Sequence, residues 1–262
     1  MSKADQSEAE EFCWPPARRT LLIALVTTGV VTAVAHLAPE AYANTAVGFV
    51  FLGATWWLVL RDDAPVIRRY GLSLGGLTEP VAIELGRLLR DAGRALSWAL
   101  LLAAVAFPPF WLGYRLFWHV ETPFVLTLPP DLLDRVLGQL LVVALPEEAF
   151  FRGYLQSALD GAWAERRSRP KADGEQGAGS GLLRVLGAGL GPGWLASAAI
   201  VAVGHFLTIP HPNRLAVFFP ALVFGWLRAR TGGIGAAVIF HALCNLLTSF
   251  LAVGFGLVNG WQ

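Results

Sequence analysis

What most restricts the folds open to this chain is a recurrence of apolar runs long enough to cross a bilayer. A helix needs about 20 apolar residues to span the hydrocarbon core. Within lipid the backbone must satisfy its own hydrogen bonds, which a helix does internally. The runs cover residues 21–38, 43–60, 95–118, 132–159, 182–209 (its membrane part from about 193), 215–227 and 234–258. Composition points the same way: of 262 residues 55% are hydrophobic and only 15% charged, with a mean hydropathy of +0.54, whereas soluble domains carry about 25% charged residues. The expected fold is all-α, a polytopic membrane helical bundle of about seven transmembrane helices. Pro108-Pro109 should break or kink the third span. Residues 80–94 are amphipathic, with Arg87, Arg90 and Arg94 beside Val81, Ile83, Leu85, Leu88 and Leu89, and predict an additional interfacial helix.

Charge placement orients the bundle. With the N-terminus inside, sixteen of the 20 basic residues fall in inner segments, three (Arg115, Arg135, Arg214) in outer loops, and Arg152 lies within a span. By the positive-inside rule this favours a cytoplasmic N-terminus and an outer C-terminus. A cleaved signal peptide competes for the first run, because Ala41-Tyr42-Ala43 resembles a cleavage site, but the polar lead before Arg18-Arg19 is long for one. The organisation is a polar tail (1–19), N-terminal membrane helices with the amphipathic segment (20–129), and a membrane core (130–258). Residues 160–180 read as a flexible linker, and His211-Pro212-Asn213-Arg214 as a tight turn. Trp56, Trp57, Trp111 and Trp118 sit at run ends, where an aromatic belt places them.

The formal net charge of +1 gives nucleic acid no footprint. Cys13 and Cys244 lie too far apart in kind, one in a polar tail and one in an apolar run, for a disulfide framework. The Gly-rich tract 174–193 lacks the lysine of a phosphate loop. His36, His119 and His211 lie at a span end or in loops and are read as non-catalytic. Ser157, Ser197 and Thr208 have no general base at helical spacing.

The fourth run holds Glu147, Glu148 and Arg152. An ionisable residue at mid-membrane costs about 2.5–3.5 kcal/mol on insertion scales, so three within six positions mark a functional interior. Glu148 and Arg152 are four apart and can pair on one helix face. Glu147 sits about 100° round the helix and needs another partner. His205 lies late in the fifth run, and His241 and Asn245 share a face of the seventh. The alternative for these groups is a set of structural ties between helices.

These residues resemble the CPBP family, the CAAX-protease and bacteriocin-processing family, also called Abi, which includes the Ras-converting CAAX endopeptidase. The family's motifs are Glu-Glu-x-x-x-Arg, Phe-x-x-x-His and His-x-x-x-Asn on three helices. The first is complete here as Glu147, Glu148 and Arg152, and the third as His241 and Asn245. The second keeps His205 but has Val201 in place of Phe. The resemblance covers about residues 130–250. It implies a glutamic-type intramembrane endopeptidase with no cofactor: Glu147 activates water with His205 assisting, His241 and Asn245 form the oxyanion hole, and Glu148 and Arg152 orient and charge-balance the site. Zinc ranks second, since Glu plus two His is a zinc ligand set, but no His-Glu-x-x-His run occurs. The implied partner is a membrane-anchored protein substrate within the lipid bilayer, bearing a C-terminal sorting tail as for bacterial myxosortases, a leader, or a CAAX-like tail. The setting would be the bacterial inner membrane. A non-catalytic membrane scaffold of the same fold and a transporter are the competing classes. With these spans, Glu147 and His241 fall in the inner half of the membrane while His205 lies near the outer end of its span.

Overall fold

The computed structural model describes residues 12–168 and 183–258. Each apolar run forms a helix. We number them α1 (Ala17–Leu37), α2 (Glu40–Leu60), α3 (Ala64–Arg69), α4 (Leu85–Phe117), α5 (continuous helical turns from Leu132 to Ser168), α6 (Pro192–Thr208), α7 (Phe218–Thr231) and α8 (Gly235–Gly254). Helices α1, α2, α4 and α8 are long and apolar enough to cross a bilayer unaided. Together with α5, α6 and α7 they make an all-α membrane bundle. The outer faces of α1, α2 and α4 expose Leu22, Leu25, Val26, Phe49, Leu101 and Val105, surface that only lipid covers cheaply.

Helix α5 is the axis. Its Phe150, Phe151, Tyr154 and Leu155 are buried in one core with Ala24 and Val31 of α1, Phe51 of α2 and Ala198 of α6. A second core joins Ala99 and Ala103 of α4 to Phe224 and Leu227 of α7 and Phe240 of α8. Phe107 and Phe240 stack across the α4–α8 contact with centroids 6.0 Å apart. Pro146 has no N–H to offer, and the turns on either side of Leu145–Glu148 widen to the π form, with the Leu145 N–H reaching Leu140 O. Such bulges concentrate at functional sites. Helix α2 closes on this point because Gly48 has no side chain: a Cβ there would lie 2.7 Å from Val142 O.

The N-terminal segment and the connections between α2 and α4, α5 and α6, and α7 and α8 gather on one face. Phe12 and Trp14 pack on Tyr70, and the Trp14 N–H donates to Glu165. Arg228 donates to Arg69 O and Ser157 Oγ, and Ile234 N to Gly71 O. The opposite face carries residues 118–131 and 209–217, and there Val125 N donates to Gly254 O.

Three local expectations change. The amphipathic stretch 80–94 is not a separate element: residues 80–84 are not helical, and 85–94 are the first turns of α4. The reason is an ion cluster in which Arg87 of α4 and Arg68 of α3 both donate to the enclosed Glu79, so tertiary contacts hold this segment. Helix α4 continues across Pro108 and Pro109 for 33 residues. The start of the fifth run is a β-hairpin, Leu183–Val185 paired antiparallel with Ala188–Leu190, and α6 begins only at Pro192. The first part of the expected linker, through Ser168, is helical, and the rest falls outside the described residues. Arg214 lies in a short 3₁₀ turn, Pro212–Val217. Cys13 and Cys244 are free.

Candidate active site

The six residues singled out by pattern converge on the middle of α5. Glu148 is fully enclosed. Its Oε1 lies 2.9 Å from His241 Nδ1 of α8, and its Oε2 lies 3.2 Å from Arg152 Nε one turn along. The Arg152 contact is one of charge more than of aligned hydrogen bonding, since neither Glu148 Oε2 nor Arg152 Nε has a hydrogen-bond partner of good geometry. Arg152 is 1% exposed and donates through Nη2 to Ala221 O of α7 at 3.1 Å. The His241 ring stacks on Phe224, centroids 4.8 Å apart. Glu148 thus ties α5 to α8 directly and to α7 through Arg152.

Glu147 faces another way, as the 100° helical step requires. Its Oε2 lies 3.8 Å from His205 Nε2, with side-chain exposures of 13% and 25%. That is too long for a direct hydrogen bond. It suits a molecule of water seated about 2.8 Å from both atoms. Asn245, one turn after His241, donates through Nδ2 to Gln139 Oε1 at 2.9 Å.

The mismatch in depth between His205 and Glu147 has a geometric answer. Glu147 is fifteen residues into α5, about 22 Å from its start, whereas His205 is three residues from the end of α6. Ala221, which meets Arg152, is only the fourth residue of α7. The C-terminal end of α6 and the N-terminal end of α7 therefore lie level with the carboxylates, while the N-terminal half of α5 extends well beyond them.

Two neighbours lay outside the sequence motifs. Gln139 is eight residues, or about two turns, before Glu147 on the same helix, and a polar residue at that spacing was its one signal. Arg214 places Nη2 2.9 Å from His205 Nδ1. It sits in what read as a plain turn, so nothing local marked it. Among the described residues no group of three or more His, Cys, Asp or Glu side chains is arranged to hold a metal ion.

A helical membrane bundle with paired carboxylates, two histidines and an amide gathered in its interior has the parts of an intramembrane hydrolase. The family model described as type II CAAX prenyl endopeptidase Rce1-like matches residues 129–247, the segment that carries all six. Residues 129–247 are thus similar to the Rce1-like branch of the CPBP proteins, and the chain is an integral membrane protein. That likeness supports a protease whose substrate is a membrane-associated protein. No curated protein and no solved structure matches the chain.

Proposed function

We propose that the protein cleaves a membrane-anchored protein near its tail with a water activated by Glu147, without a metal. The observation that carries this reading is the 3.8 Å gap between Glu147 Oε2 and His205 Nε2. A water held in that gap gives a proton to Glu147, its oxygen bonds to the scissile carbonyl carbon, and Glu147 returns the proton to the leaving amine as the C–N bond breaks. Charge on the carbonyl oxygen is met by Asn245 and His241. Asn245 keeps one amide hydrogen beyond that given to Gln139. His241 donates through Nε2 when its ring carries two protons, the Nδ1 proton going to Glu148. Glu148 and Arg152 hold this frame and do not react.

The substrate class follows from the family and the setting: a prenylated CAAX-type tail, a leader, or a C-terminal sorting tail, in a bacterial inner membrane with the N-terminus cytoplasmic. Of these we favour the sorting tail, because prenylated partners are scarce in bacteria. The test is cleavage, in liposomes, of a farnesylated CAAX peptide and of a fusion bearing a hydrophobic C-terminal tail. Wild type should cleave one of them, and Glu147→Gln and His205→Ala should not. Full activity of Glu147→Ala would sink the assignment, and loss of wild-type activity in strong chelator would replace it with the zinc reading.

A further inference from the structure

We propose that Arg214 sets the working state of His205, holding the ring as a neutral N–H donor at Nε2 toward Glu147 and the water between them. The inference rests on the reading of Glu147 and His205 as the water-activating pair, and it divides the work within that pair.

A guanidinium only donates hydrogen bonds and keeps its charge at any working pH. Arg214 Nη2 lies 2.9 Å from His205 Nδ1, so Nδ1 must accept. A proton on Nδ1 would set N–H against N–H beside a fixed positive charge. The ring proton therefore resides on Nε2, the nitrogen that faces Glu147. His205 then has no free lone pair with which to take a proton from water. Glu147 is left as the base, and His205 steers. A water that accepts from Nε2–H and donates to Glu147 keeps a lone pair directed at the substrate carbonyl.

The local sequence is built to deliver this arginine. Pro210 and Pro212 follow the end of α6, which comes three residues after His205, and turn the chain back. His211 stiffens the turn: its Nδ1 accepts from Asn213 N and its carbonyl from Arg214 N. Among the described residues Arg214 has no ion pair with a carboxylate, and its Nε is buried without a partner. A surface strut would be expected to pair with an acid. Here the recorded partner of the guanidinium is the histidine.

Arg214 is thus a positioning residue, and the test reads the histidine it positions. The full-length protein is labelled with ¹⁵N-histidine and reconstituted in liposomes, and the His205 signals are assigned by difference against His205→Gln. In wild type, His205 should show a protonated Nε2 and a bare Nδ1. Arg214→Met should give mixed tautomers, and Arg214→Lys, which still donates, should keep the wild-type one. On whichever peptide the wild type cleaves, Arg214→Met should lower kcat about tenfold to a hundredfold with KM within about threefold, and Arg214→Lys should recover most of it. An unchanged tautomer and unchanged kcat in Arg214→Met would overturn the inference. If wild type cleaves neither peptide, that failure counts against the protease reading, while the tautomer of Arg214→Met still decides the role of Arg214.

Discussion

Two adjacent glutamates of one helix meet opposite surroundings, and their substitutions should separate accordingly. Glu148 is enclosed between Arg152 and His241. Removing one member of a buried pair strands the others and costs about 3–5 kcal/mol. Glu148→Ala should therefore melt well below wild type in detergent and purify poorly, whatever it does to cleavage. Glu147 has only the long contact to His205 and some exposure. Glu147→Gln should melt like wild type yet lose about a hundredfold or more in kcat, the scale of a missing general base. Equal losses of stability in the two variants would refute this division. The amide pair gives a graded case. Asn245→Ala removes a donor to the developing oxyanion and should cost about a hundredfold in kcat. Gln139→Leu only frees that amide to rotate, and should cost about tenfold.

At the scale of elements, the junction of α3 with α4 is held by charge. Arg68 and Arg87 both donate to the enclosed Glu79, and Arg87 also donates to Ser73 Oγ. These hydrogen bonds, Arg68's foremost, hold the Glu79 carboxyl well below the usual carboxylate range. A carboxyl with a lowered folded pKa stabilises the fold fully above its unfolded value, near 4.5, and the contribution fades as pH falls below that value. Wild type should lose melting temperature between pH 6 and pH 3, followed by tryptophan fluorescence. Glu79→Gln should start about 5 °C lower at pH 7 and show a shallower fall. The same junction explains a limit on what the chain reveals before folding. Arg87, Arg90 and Arg94 beside Leu88 and Leu89 have the pattern of a helix lying on the membrane, and only the folded contact with Glu79, on the non-helical segment before α4, shows that Arg87 is anchored in protein. Helices in lipid are legible because each must close its own backbone bonds, and buried charges are legible because each is costly. Those two costs made the bundle and the Glu147, Glu148, Arg152, His205, His241 and Asn245 set readable. Arg214 and Gln139 act through partners on other segments, 9 and 106 residues away, and no local period encodes that.

For the molecule as a whole, the lengths of the helices decide where the site opens. Helices α6 and α7 have 17 and 14 residues, about 26 Å and 21 Å, against about 30 Å of hydrocarbon. Their inner ends lie on the face that carries the N-terminal segment, the β-hairpin and the α7–α8 turn, where Trp226 Nε1 donates to Val185 O. Their outer ends stop at the carboxylates. The shortfall is therefore all on the other face, where the turn holding Arg214 joins α6 to α7. If the basic residues lie inside, that face is turned away from the cytoplasm, and a substrate segment would reach Glu147 from the outer half of the bilayer. The orientation is testable apart from any chemistry. In a protein with Cys13 and Cys244 replaced by serine, single cysteines at Asn213, Thr122 and Asp63 are exposed to a membrane-impermeant maleimide on intact spheroplasts. Asn213→Cys and Thr122→Cys should label at once, and Asp63→Cys only after lysis. Labelling of Asp63→Cys alone on intact cells would invert the bundle and bring the substrate from the cytoplasm. Equal labelling of Asn213→Cys and Asp63→Cys would mean that an odd number of crossings does not separate the two positions, and that α6 or α5 fails to span.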